Sequence, residues 1–252
     1  MSLEASRLLA AAGQNVRLLA ERIYPYHLKY EGAQDARAVF AYVYYNITLD
    51  LAERLENPEE GFENPEWVAG LAQSFADKYI AAMDTLDRCL QDSDPQSIGP
   101  APESLFKTVP KPWADVYRAI RGRQSFVLED LVFSMMAHIS HDLPLALIEV
   151  GANPDHLADY HLMNEVLANR TEFIQQAVAK RYQRFLLWFD GLAGSYDEFF
   201  TDYGIRVSRS VAWYNAMRLL APSSKEDARA SIERSTLAFI ESVRYPKEWW
   251  IR

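Results

Sequence analysis

The residues able to do chemistry cluster in the middle of the chain. Of five histidines, His138, His141, His156 and His161 fall close together, and only His27 lies elsewhere. His138 and Asp142 stand four apart in the run Ala137-His138-Ile139-Ser140-His141-Asp142. On an α-helix that spacing sets both side chains on one face, a turn apart. His141 follows on nearly the same side. His161 and Glu165 repeat the spacing after the turn Gly151-Ala152-Asn153-Pro154. Two helices joined by a short turn run antiparallel, so the two pairs can face each other. Imidazoles and carboxylates projecting from facing helices are how helical bundles build metal sites. Neutral imidazole with carboxylate suits zinc, iron or manganese. His138, Asp142, His161 and Glu165 are therefore the candidate ligands of a divalent metal, zinc among them. Asp159 is the candidate base or orienting carboxylate, and Asn164 the candidate substrate-positioning group. The plainer reading makes His138 and Asp142 a hydrogen-bonded pair, because a carboxylate at the end of an apolar run needs a partner.

Other polar residues are read more modestly. Pro144, two beyond Asp142, lacks a backbone donor and should end or kink its helix. His156 reads as a surface residue at a helix start. His27, in the aromatic turn Tyr24-Pro25-Tyr26-His27, reads as structural. Tyr42, Tyr44, Tyr45 and Tyr79 read as core or pocket wall. Arg118, Arg121 and Arg123 form one small basic cluster, and Arg206 and Arg209 another. Either could meet an anionic group, with solvated surface the ordinary expectation.

The elements that must position these groups are helical. Apolar residues recur at intervals of three and four. A first helix carries Leu8, Leu9, Val16, Leu19 and Ile23 and is expected to end at Tyr24-Pro25. A second spans Gln34 to about Glu56. A third starts at Asn64-Pro65, with Asn as cap and Pro in the first helical position, and runs to about Gln91. Residues 92–112, rich in Pro and Ser, read as a surface loop within one domain. A short helix follows over 113–121. The stretch from Gln124 to Val150 is strongly apolar in its middle (Leu131, Val132, Phe133, Met135, Met136) and reads as a central, buried helix. Asp155 can cap the next element, and helices are expected over about 156–190, 196–220 and 224–243, with a serine capping the last. No alternating strand pattern appears. The fold expected is a single all-α domain over 1–252, a multi-helix bundle around a long buried helix.

Composition limits the function classes. The chain has 252 residues, 49% of them hydrophobic, enough for a sizeable core. Its formal charge of −9 argues against general binding to nucleic acid or to anionic membranes. Cys89 is the single cysteine, which rules out an internal disulfide or a cysteine zinc knuckle and suits a reducing cytoplasm. Charged residues interrupt the N-terminal apolar stretch, so no signal peptide is read. No run of about 18 apolar residues suggests a membrane span. Trp249 and Trp250 at the tail could dock on a second copy of the chain, which would make a homo-oligomer.

Two resemblances add to this. Ala137-His138-Ile139 followed by Asp142-Leu143-Pro144-Leu145-Ala146-Leu147 resembles the core of an uncharacterised bacterial domain-of-unknown-function family. Phe40 to Thr48 and Asp159-Tyr160 with Asn164 agree with it. The likeness spans about residues 35–220 and directs attention to His138, Asp142, Asp159 and Asn164. More distantly, the His-x-x-x-Asp then His-x-x-x-Glu order is similar to the zinc-dependent phospholipase C and single-strand nuclease superfamily. The chain lacks that superfamily's N-terminal Trp ligand and its further histidines, so the resemblance implies at most a one- or two-metal site. Together these readings give a metal-dependent hydrolase of an ester or phosphoester of a hydrophobic small molecule, the metal activating a bound water. The alternative is a metal-free helical module that binds an apolar ligand or a partner protein.

Overall fold

The computed structural model describes residues 3–91, 107–121, 127–168, 202–220 and 225–244. Among the described residues there is no strand, so the all-α expectation holds. The first helix, α1 (Leu3–Gly32), runs on through Pro25 rather than ending there. A proline inside a helix costs one hydrogen bond and a local clash. Here the turn beyond it packs Tyr30 and His27 into the interior, and that burial outweighs the loss. Only after Gly32 does the chain turn, with Gln34 in the left-handed region at φ 54°. The second helix, α2 (Arg37–Glu56), therefore starts three residues later than its apolar pattern suggests.

α1 and α2 lie along each other very closely. A Cβ placed on Gly13 would stand 2.9 Å from the carbonyl oxygen of Ala52, so the absent side chain is what lets the two backbones approach. α3 (Pro65–Gln91) completes this layer. One buried ionic group ties the three together. Arg37 pairs with Asp87 on α3 at 2.8 Å and with Asp35 in the preceding turn, while Lys29 and the Tyr30 hydroxyl on α1 also reach Asp87.

α4 (Lys111–Arg121) begins two residues before the expected Trp113. Residues 92–106 of the expected surface loop lie outside the described residues. The central run is α5 (Val127–Met136), a π-helical segment (Ala137–Asp142) and α6 (Leu143–Glu149). Pro144 neither ends nor breaks this run. The wider turn just before it takes up the irregularity, and the Leu143 N–H reaches back five residues to the His138 carbonyl. By length and composition Glu129–Glu149 could cross a membrane, but 78% of its most apolar window is buried inside the protein. It is the central helix of the bundle.

After a 3-10 turn capped by Asn153 rather than Asp155, α7 (Leu157–Ala168) follows. The rest of the helix expected to 190 falls outside the described residues. α8 (Asp202–Leu220) packs on α6, α7 and the π-helical segment. α9 (Lys225–Arg244) packs on α4, α5, α8 and the same segment. The serine expected to cap α9 and the tail tryptophans are also outside the described residues.

Candidate functional site

The π-helical segment carries His138, His141 and Asp142, and helices on several sides enclose it. Asp142 is buried and accepts three hydrogen bonds. His138 Nδ1 donates to Oδ2 at 3.0 Å, Trp113 Nε1 from α4 donates to the same oxygen at 2.8 Å, and His141 Nδ1 donates to Oδ1 at 2.8 Å. Burial alone would raise the carboxyl's pKa. The bonds from the two histidines outweigh it and hold the pKa below the ordinary carboxylate value. Asp142 is therefore a carboxylate, and each facing nitrogen carries a hydrogen.

His138 is 2% exposed. Its ring stacks on Phe75 with centroids 3.5 Å apart and planes 6° from parallel. Phe40, Tyr44, Tyr79 and Trp113 present edges or tilted faces around it. Burial pushes the imidazole's pKa down by more than Asp142 raises it, so the ring is neutral. With its hydrogen on Nδ1, its Nε2 is a lone-pair acceptor, and that atom is buried with no partner among the described residues.

Beside this ring lies a cavity of about 100 Å³. Its walls are largely apolar, from Phe40, Tyr44, Phe75, Met135, Leu143 and Met163 among others. Three further lining groups are polar: Thr48, His138 and Arg209. The Thr48 hydroxyl is committed to the Tyr44 carbonyl. The other two each leave one buried nitrogen unpaired, His138 Nε2 and Arg209 Nη2.

The sequence-predicted site residues do not all meet. His138 and Asp142 are bonded together and buried, whereas His161 and Glu165 are exposed on α7. No group of three or more His, Cys, Asp or Glu among the described residues is placed to hold a metal. The four expected ligands therefore form one buried hydrogen-bonded pair and one separate surface pair, and they do not fit a shared metal. The physical reason is rotational: α7 turns Met163, Asn164 and Val166 inward, which points His161 and Glu165 outward.

Asp159 and Asn164 are buried, in different settings. Both oxygens of Asp159 accept backbone N–H groups, from Glu63 and Asn64 at 2.8 Å each, and Asn64 Nδ2 adds a third bond. Asp159 thus fastens the start of α3 to α7, with both of its oxygens engaged by Glu63 and Asn64. Asn164 Oδ1 accepts from Arg209 Nε, and its Nδ2 donates to His161 Nδ1 at 3.3 Å. It holds the arginine that lines the cavity. His156 stacks on Trp67 and closes a capping box with Asn153. His27 is buried, bonded to the Ala38 carbonyl.

The match to known proteins covers this whole arrangement. The chain fits a family of unknown function (DUF5995) over residues 19–98 and 100–246. It belongs to that family. No curated protein and no solved structure matches it. Both histidine–carboxylate pairs lie within the DUF5995 match, but the family carries no assigned activity to transfer.

Sequence reasoning missed Trp113, and it read Arg209 as one of a small basic cluster with solvated surface the ordinary expectation, whereas Arg209 is buried. Nothing local marks Trp113, whose bond to Asp142 crosses from another helix. Arg209 had a signal. It falls on the stripe Ile205, Ala212 and Ala216, at helical spacing, and those three are buried. A charge on an apolar stripe is a buried charge, not a member of a surface cluster with Arg206.

Proposed function

We propose that this protein binds a small, mostly apolar molecule in the cavity beside His138, and that it does so without a metal. The unpaired Nε2 of His138, a residue lining a largely apolar cavity, carries the reading. Leaving a buried acceptor unpaired costs about 1–3 kcal/mol. A ligand that donates one O–H or N–H to it would recover that cost and fix its own orientation. Apolar walls with a few placed polar groups are the usual make-up of a small-molecule site. An apolar cavity of roughly 150 Å³ takes a whole benzene ring, so one of about 100 Å³, which is not fully enclosed, suits a short branched chain or the inner part of a ring.

Asp142 serves this function indirectly. It fixes the His138 tautomer so that Nε2 is the free nitrogen. Trp113 and His141 in turn hold the carboxylate. The metal-dependent hydrolase reading needs His161 and Glu165 beside this pair, and the likeness to the phospholipase C superfamily rests on the same doubled spacing. The separation of the pairs favours the ligand-binding reading instead.

Titration with phenol and with toluene, followed by protein NMR, tests the proposal. Both should bind, phenol several-fold more tightly. His138→Phe, which keeps a ring against Phe75, should remove the preference and retain toluene. Equal binding of the two by the wild type would overturn the role of His138. Stoichiometric zinc, manganese or iron lost in both His138→Ala and His161→Ala would return the argument to a metal site.

A further inference from the structure

Among the described residues Arg209 is a buried cation without an anion. It is 5% exposed. Nε is held by Asn164 Oδ1, and the guanidinium lies 4.5 Å from the centroid of the Tyr160 ring. Tyr160 also fixes the backbone at that point, its hydroxyl donating to the Arg209 carbonyl at 2.7 Å. Neither partner is a carboxylate, and among the described residues Arg209 makes no ion pair. Guanidinium groups do not lose their proton in proteins. Buried charges are ordinarily paired, and the guanidinium fork is the group best shaped to take a carboxylate or phosphate.

This residue lines the same cavity as His138. We propose that the cavity's ligand is a small organic acid whose carboxylate pairs with Arg209 and whose ring or short chain lies against the apolar walls. The inference rests on the ligand-binding reading above and names the ligand class. Asn164 is a positioning residue here: its oxygen holds Nε and so sets the plane of the guanidinium, whose Nη2 is buried with no partner among the described residues. Tyr160, stacked on the guanidinium, stabilises the cation without neutralising it. A carboxylate suits the cavity better than a phosphate because, among the described residues, Arg209 is the only cation lining it.

The test uses the full chain with benzoate, benzamide and toluene as probes, read by calorimetry or NMR titration. Benzoate and benzamide share their shape and differ in charge. The wild type should bind benzoate at least tenfold more tightly than benzamide. Arg209→Met should lose that tenfold preference while still binding toluene. Asn164→Ala, which keeps the charge and frees the fork, should lose part of it. If Arg209→Met does not fold, the wild-type preference and the Asn164→Ala result decide the matter. Toluene bound with benzoate no better than benzamide would overturn the acid and leave the cavity reading intact. No binding of any probe by the folded wild type would overturn both.

Discussion

Asp142→Ala is the most informative single perturbation of this fold. The substitution removes the acceptor of three donors, two of which, Trp113 Nε1 and His138 Nδ1, belong to side chains only 2% exposed. Each buried donor left unpaired costs about 1–3 kcal/mol, which predicts a loss of about 2–6 kcal/mol. His141 is half-buried and can turn to water, so it adds little. Against a typical total of about 5–15 kcal/mol, the variant should be marginal. Asp142→Asn should cost less, about 1–3 kcal/mol, because its oxygen can keep Trp113 and His138 while His141 changes tautomer. Urea unfolding of the three proteins measures the difference. An Asp142→Ala loss below about 1 kcal/mol would refute the reasoning, because the donors would then have other partners. The pH dependence follows with its sign. The Asp142 pKa is lowered on folding, so its contribution is present above the unfolded value of about 3.9 and is lost as pH falls below it. The His138 pKa is lowered too, so the unfolded chain takes up that proton first. Stability should therefore begin to fall below about pH 6.5, by up to about 1.4 kcal/mol per pH unit from this residue. His138→Phe should flatten the part of the curve just below about pH 6.5.

Three other substitutions test separate parts of the structure. Gly13→Ala gains helix propensity but drives a methyl group at the Ala52 carbonyl; overpacking should win, with a net loss of about 1–2 kcal/mol by thermal unfolding, and a more stable variant would mean that α1 and α2 separate easily. Arg37→Met leaves the buried Asp87 with only Lys29 and Tyr30; about 3 kcal/mol should be lost in urea unfolding, and an unchanged midpoint would show the pair to be dispensable. The double change His161→Ala with Glu165→Ala touches exposed side chains only; it should move stability by less than about 1 kcal/mol and leave toluene binding unchanged, whereas loss of binding would place α7's outer face in the site.

Much of the fold was legible because it rests on local patterns. The Asn64-Pro65 start of α3 and the buried run of α5 and α6 are periodic signals that tertiary packing reinforced. The Tyr24-Pro25 break failed because packing of Tyr30 and His27 overrode a local rule. In the site, the His138–Asp142 bond followed from spacing alone. The partnership with His161 and Glu165 did not, because equal spacing on two helices leaves the rotation of each helix unspecified. That rotation was set by which residues of α7 are apolar, and Met163 and Val166 pull the histidine away from the cavity.

The two unpaired nitrogens make sense together rather than singly. For stability alone, a phenylalanine at 138 or a methionine at 209 would fill the same space with no polar atom to satisfy. Two orphaned groups cost roughly 2–6 kcal/mol, a large part of what a domain of this size has to spare. The surrounding structure nevertheless fixes both. Asp142 fixes the His138 ring through Nδ1, while Asn164 and Tyr160 set the plane of Arg209. Polar groups that are buried, oriented and left incomplete resemble a preorganised site more than a core. Their chemistry is also complementary: a neutral acceptor and a fixed cation on one apolar cavity match a ligand with a donor and an acid group on a small apolar body. A metal would need the opposite, a convergence of ligating side chains, and among the described residues no group of three or more His, Cys, Asp or Glu is placed to hold one.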